Sequence, residues 1–158
     1  MIDESTPLLS VEALGVSFGA LPVVRNVGFT LMTGEVLGIV GESGSGKSLT
    51  CRALLGLLPQ NAKVSGRVLF EGRDLLASTA EEMRGLRGRK MSMIFQNPAS
   101  HLDPLKTVGH HVAEPIILHG AAGNVEARAL DILRAVEINE PEKRLRAYPH
   151  ELSGGMKQ

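Results

Sequence analysis

The stretch Gly41-Glu42-Ser43-Gly44-Ser45-Gly46-Lys47-Ser48 constrains this chain more than any other, because it fits G-x-x-x-x-G-K-[ST] at every fixed position. Glycines at those places let successive backbone N–H groups turn inward and form an anion nest at the start of a helix. Both flanks agree. Glu35 to Val40 is a largely apolar run, as expected of a short strand covered on both faces in a parallel sheet. Lys47 to Leu58 reads as a helix stopped by Pro59. A chance glycine-rich turn would not carry both flanks. The expected chemistry is phosphate binding: Lys47 is placed to reach β- and γ-phosphates as a point charge, and the Ser48 hydroxyl to ligate Mg²⁺. Residues Gly41, Glu42, Ser43, Gly44, Ser45, Gly46, Lys47, Ser48 and Leu49 form the expected cradle.

Composition bounds the rest. At 158 residues and 43% hydrophobic, the chain can bury the core of one domain, with room for a small satellite lobe. Lys plus Arg equals Asp plus Glu at 17 each, so no overall field draws nucleic acid or an anionic membrane. The single Cys51 cannot form an internal disulfide and reads as a small packing residue in a reducing compartment. The acidic start Met1-Ile2-Asp3-Glu4 lacks the order of a signal peptide, and no apolar run approaches the roughly 20 residues of a membrane helix. The expectation is a soluble cytoplasmic domain.

Before the glycine loop, Leu9 to Phe18 and Val23 to Leu31 alternate as strands, joined by a turn at Gly19 to Pro22. After it, Val64 to Phe70 reads as a strand, and Thr79 with Glu82 as a capping box for a helix running toward Arg87. Met91 to Phe95 is a further candidate buried strand, followed by a loop punctuated by Asn97-Pro98 and Asp103-Pro104. Helices are expected at about 107–118 and 125–136, in a stretch without strand signals.

A phosphate loop alone does not separate a transporter ATPase from a nucleotide kinase or a GTPase. Leu152-Ser153-Gly154-Gly155-Met156 does. A Ser and Gly pair there would make a second anion-binding helix start, from hydroxyl and backbone donors. At these residues the chain resembles the ATP-binding-cassette family, whose signature is LSGGQ or a close variant. Met156 stands where Gln is usual, as in the peptide- and metal-importer branch. The resemblance runs from about Leu9 to Gln158 and is nearest the dipeptide, oligopeptide and nickel importer ATPases. It is carried by the glycine loop, Ala53-Leu54-Leu55-Gly56-Leu57-Leu58-Pro59, and Tyr148 to Met156. The stretch Ala99 to Gly109 is similar to that branch's serine-leucine-asparagine-proline loop, with His101 and Asp103 departing from its commonest wording.

The resemblance implies roles. ATP and Mg²⁺ are the implied cofactors. Gln96, at the end of Met93-Ile94-Phe95-Gln96, would contact Mg²⁺ and the attacking water, and would move with a transmembrane partner. A neutral amide orients water without taking its proton, as glutamine does in GTPases. Lys47 and Gln96 are thus the catalytic candidates, and Ser48 and Gln96 the Mg²⁺ ligands. Ser153, Gly154 and Gly155 would face the γ-phosphate held by another subunit. Phe18 matches the family's adenine-stacking aromatic, usually tyrosine; its other reading is plain core. His101, His110, His111 and His119 read as ordinary surface histidines, because neighbours on a helix point roughly 100° apart and no ligand set completes them.

The implied fold class is α/β: a P-loop NTPase core, incomplete here, with an N-terminal antiparallel β subdomain and an inserted α-helical subdomain. The β subdomain and P-loop core take about 1–98, and the helical subdomain with its signature about 99–158. Family members continue to an apolar strand ending in Asp, a general-base Glu and a switch His, none of which is found within these residues. A chain without them is expected not to hydrolyse ATP alone. Implied partners are a second ATPase subunit, transmembrane permease subunits and, indirectly, a substrate-binding protein, on the cytoplasmic face of the inner membrane; no nucleic acid is implied. Two other classes stay open: a cassette ATPase of DNA repair or translation, and a P-loop small-molecule kinase.

Overall fold

The computed structural model describes residues 6–120 and 123–158; the acidic start, Met1 to Glu4, lies outside them. The chain forms two compact units, Met1–Met91 and Ser92–Gln158, a division that comes ahead of the one expected near residue 98.

In the first unit, β1 (Leu9–Phe18) turns through Gly19-Ala20 into the antiparallel β2 (Leu21–Leu31). On its other side β1 pairs with β3 (Ala62–Phe70), which pairs with the short β4 (Arg73–Asp74), giving the order β2-β1-β3-β4. Burial along β1 changes phase midway: Leu9 and Val11 are buried, then Leu14 and Val16. Ala13, at φ 48°, absorbs the odd residue, and the register breaks around it on both sides. Such a bulge returns Leu14 and Val16 to the core face, where strict alternation would have sent them to solvent.

The helix α1 (Lys47–Leu54) packs against β1 and buries Thr50 and Ala53. It ends four residues short of the expected Leu58, because Gly56, not Pro59, stops it. Gly56 takes φ 61°, so that Gly56 N–H reaches Ala53 O and Leu57 N–H reaches Arg52 O, closing the last turn on itself. Arg87 then donates from Nε to Leu55 O at 2.7 Å and from a terminal nitrogen to Gly56 O at 3.1 Å, placing a cation on the negative end of the helix.

Arg87 is itself the C-cap of α2 (Ala80–Leu86), whose start carries the expected capping box. Thr79 Oγ1 accepts from Glu82 N–H, and the Glu82 carboxylate accepts from Thr79 N–H at 2.7 Å. Replacing Thr79 with Ala is expected to cost about 1 kcal/mol, read as a lower urea midpoint with an unchanged slope. The Thr79 backbone N–H, then its hydroxyl, then the Arg73 guanidinium hold the Glu82 carboxyl below its ordinary value. The stabilisation from that lowered value is present at neutral pH and is lost as pH falls through the folded-state value, so the Thr79→Ala penalty shrinks in acid.

Two expected strands are not formed. Residues 35–40 and 92–95 join no ladder among the described residues, and Met91 makes only an isolated bridge to Arg87. Val36 is 94% exposed, Val40 93% and Ile94 82%. The physical reason is the lack of a neighbour. A strand forms only where a partner strand takes its backbone hydrogen bonds, and the strands described all belong to the antiparallel sheet.

The second unit is helical. A 3₁₀ turn (Pro98–His101) precedes α3 (Val108–Leu118) and α4 (Val125–Ala135), close to the expected positions. Thr107 and Asn124 cap these helices through Oγ1 to His110 N–H and Oδ1 to Ala127 N–H. A short α5 (Pro141–Arg146) packs against both, burying Leu145 with Val108, Ile116, Ala129 and Leu133. After a second 3₁₀ turn (Pro149–Glu151), α6 (Gly154–Lys157) begins at Ser153.

Candidate functional site

In the first unit, the loop 41–46 leads into α1 with Gly46 as its N-cap, at φ 92°. A side chain there would be strained, and a Cβ would sit 2.9 Å from Val24 Cγ2 on β2, so only Gly lets the helix start this close to the sheet. No side chain caps the helix and no acidic residue lies in its first turn. The first-turn N–H groups and the positive end of the dipole are therefore left without a protein anion. Thr50 Oγ1 back-bonds to Gly46 O at 3.1 Å and pins the first turn from inside.

Lys47 closes over this start. Its Nζ donates to Gly41 O and Glu42 O, each at 2.8 Å, and lies 3.4 Å from Ser45 Oγ. The ammonium thus sits on the mouth of the loop, held by two carbonyls, without a carboxylate to neutralise it among these contacts. Ser48 is exposed, and its hydroxyl makes no hydrogen bond among the described residues. Uncapped N–H groups, a fixed cation and a free hydroxyl fit a phosphate chain with its metal.

Phe18 ends β1 and is half-buried against the first unit's core. It lies two residues beyond Val16, the ladder partner of Val24, which abuts Gly46. Val16 and Phe18 share a sheet face. Phe18 is thus carried on the strand next to the one that supports the loop.

The remaining candidates belong to the second unit. Gln96 is exposed, and its carboxamide makes no hydrogen bond among the described residues. It stands two residues before the turn Pro98–His101, against which α6 packs, so one end of this unit gathers the turn after Gln96 and the helix opened by Ser153. Ser153 Oγ accepts from Met156 N–H at 3.3 Å, which leaves the hydroxyl proton free to donate. Gly154 and Gly155 form the first turn of α6. Just upstream, the Glu151 carboxylate accepts from Tyr148 N–H at 2.7 Å and orders the approach to the signature.

Three of the histidines read as ordinary surface residues have ring or backbone partners. His101 is exposed, yet its ring stacks on Phe95. His111 Nε2 lies 3.1 Å from Asp103 O, tying α3 to the loop before it. His110 and His111 meet edge to face at 6.2 Å. Local periodicity carries no signal for the first two contacts, because each involves the irregular stretch before α3.

Comparison with known proteins places the chain. It belongs to the ABC transporter family, which it matches over residues 24–158. It is 50% identical to the peptidoglycan transport ATP-binding protein YejF of Agrobacterium fabrum, covering 96% of this chain and 29% of that protein. It is 46% identical to the dipeptide transport ATP-binding protein DppD of Bacillus subtilis, covering 96% of this chain and 48% of that one. The chain thus spans about half the length of that peptide-transport relative or less of YejF. Among solved structures, a dimeric bacterial ABC transporter cassette superposes with a TM-score of 0.79 at 25% identity, covering 94% of this chain and 65% of that one. A post-hydrolysis cassette dimer bound to ADP and phosphate superposes with a TM-score of 0.77 at 24% identity and shares the fold. The α/β fold class is therefore that of the P-loop NTPase cassettes. No helix among the described residues is long and apolar enough to cross a membrane.

Proposed function

We propose that this chain is the nucleotide-gripping part of the ATPase subunit of an importer for peptides, coupling ATP binding and hydrolysis to uptake. The observation that carries the reading is the start of α1: an uncapped helix with Lys47 fixed over its mouth. The names of the peptide, dipeptide and oligopeptide transport relatives favour peptide over nickel as cargo. On this reading Lys47 neutralises the β- and γ-phosphates, and Ser48 and Gln96 approach Mg²⁺. Ser153, Gly154 and Gly155 present donors to nucleotide held by a second ATPase subunit. Permease subunits place the assembly on the cytoplasmic face of the membrane, with a substrate-binding protein acting through them. The carboxylate that would activate water is not matched within these residues, so binding rather than turnover is the property assigned to them.

Phe18 supplies the test of the base pocket. Phe18→Ala is expected to weaken ATP binding by about 1–3 kcal/mol, whereas Phe18→Tyr or Phe18→Trp leaves it nearly unchanged. ATP and GTP should lose affinity alike, because stacking reads a ring face and not its edges. Isothermal titration checks this. A lower melting temperature with untouched affinity would make Phe18 a core residue and remove it from the site.

A further inference from the structure

We propose that His101 is the positioning residue for Gln96, an inference that rests on reading Gln96 as the amide presented to metal and water. The rings of Phe95 and His101 lie parallel, 9° apart in plane, with centroids separated by 3.9 Å. Gln96 and Asn97 lie between them in the chain. His101 Nδ1 is 2.8 Å from Asn97 O, and Ser100 Oγ donates to the same carbonyl at 2.8 Å. Ser100 Oγ also lies 3.0 Å from Nδ1. In the tautomer with its proton on Nδ1 the ring donates to the Asn97 carbonyl, which holds it by its face on Phe95 and by its edge on Asn97.

Gln96 is thereby bracketed. The side chain before it and the carbonyl after it are both fixed to one imidazole, while its own carboxamide stays exposed and unbonded. His111 closes the far end of the same loop through Asp103 O. A residue without a ring at position 101 could not make the stack. The backbone of Gln96 would then sample more conformers, each of which must be given up when the amide is used. Aromatic pairing supplies a bias of ordinary size, enough to change the population of one loop conformer by about 2- to 12-fold.

The test uses the chain as it stands, with His101→Ala, His101→Phe and Gln96→Ala. The first readout is the ¹⁵N order parameter of the Gln96 backbone without nucleotide. It is expected to be rigid in the original, to drop in His101→Ala and to recover in His101→Phe, which restores the stack alone. The second is the ratio of ATP dissociation constants measured with EDTA and with Mg²⁺. Gln96→Ala should abolish the Mg²⁺-dependent gain, His101→Ala should reduce it by about 2- to 12-fold, and His101→Phe should keep it. An unchanged order parameter in His101→Ala, or no rescue by His101→Phe, overturns the proposal. If Gln96→Ala removes the gain and His101→Ala does not, the reading of Gln96 stands and the role of His101 falls. If Gln96→Ala keeps the gain, the reading of Gln96 fails and the inference goes with it.

Discussion

Lys47→Ala removes measurable ATP binding from this chain while leaving its folded units intact. The side chain is the one cation fixed over the mouth of the loop by the contacts described, with Nζ 2.8 Å from both Gly41 O and Glu42 O. Hydrogen bonds to charged groups contribute about 1.5–3 kcal/mol each. Losing such bonds to the β- and γ-phosphates weakens binding on the order of 10²–10⁴-fold. The substitution also frees the two carbonyls that Lys47 ties together, which adds to the loss. The hydrophobic contacts of α1 are made through Leu49, Ala53 and Leu54 and are untouched, so the melting temperature should move little. A fluorescent ATP analogue titrated into both proteins checks the result, and equal binding would refute the assignment of Lys47.

Residues 1–158 alone are expected to release no phosphate from ATP and to self-associate as concentration rises. Loss of a general base alone costs 10²–10⁴-fold, and no strand ending in a carboxylate is matched after the signature within these residues. The association has a visible cause. Val36 and Val40 are more than nine-tenths exposed on a segment that joins no ladder, which leaves an apolar template for pairing. Sedimentation velocity should show mass increasing with concentration, and Val36→Lys should suppress it, since charge on an unpaired segment opposes edge pairing. Phosphate release measured beside full-length DppD of Bacillus subtilis tests the other half. Turnover near that relative's rate would mean that a catalytic carboxylate already lies within these residues.

What could be read beforehand follows from how local each feature is. The helix start at Lys47 was legible because G-x-x-x-x-G-K-[ST] spacing, from Gly41 to Ser48, joins a glycine loop to a helix. The Thr79 and Glu82 box was legible for the same reason, since a cap spans only one turn. The helix after the loop was placed correctly at its start and too long at its end. Pro59 is the stronger stop signal in the sequence, but the left-handed conformation of Gly56 closes the helix earlier. The short α5 was missed although Pro141 stands in its first turn, because six residues are too few for a periodic stripe. The runs at 35–40 and 92–95 carry the apolar pattern of buried strands, but pairing belongs to neighbours that a strand's own sequence does not contain. The Phe95 and His101 stack depends on the path of an irregular turn, and periodicity is silent there.

Residue-resolved titration decides whether this chain grips nucleotide phosphates at the start of α1. ¹⁵N amide resonances of the chain are followed as Mg²⁺ and ATP are added. The expected result is a set of saturable shifts at residues 44–49, with smaller ones at Phe18, and none of these in Lys47→Ala. Saturable shifts elsewhere with residues 44–49 unmoved, or no shifts at millimolar nucleotide, would contradict it.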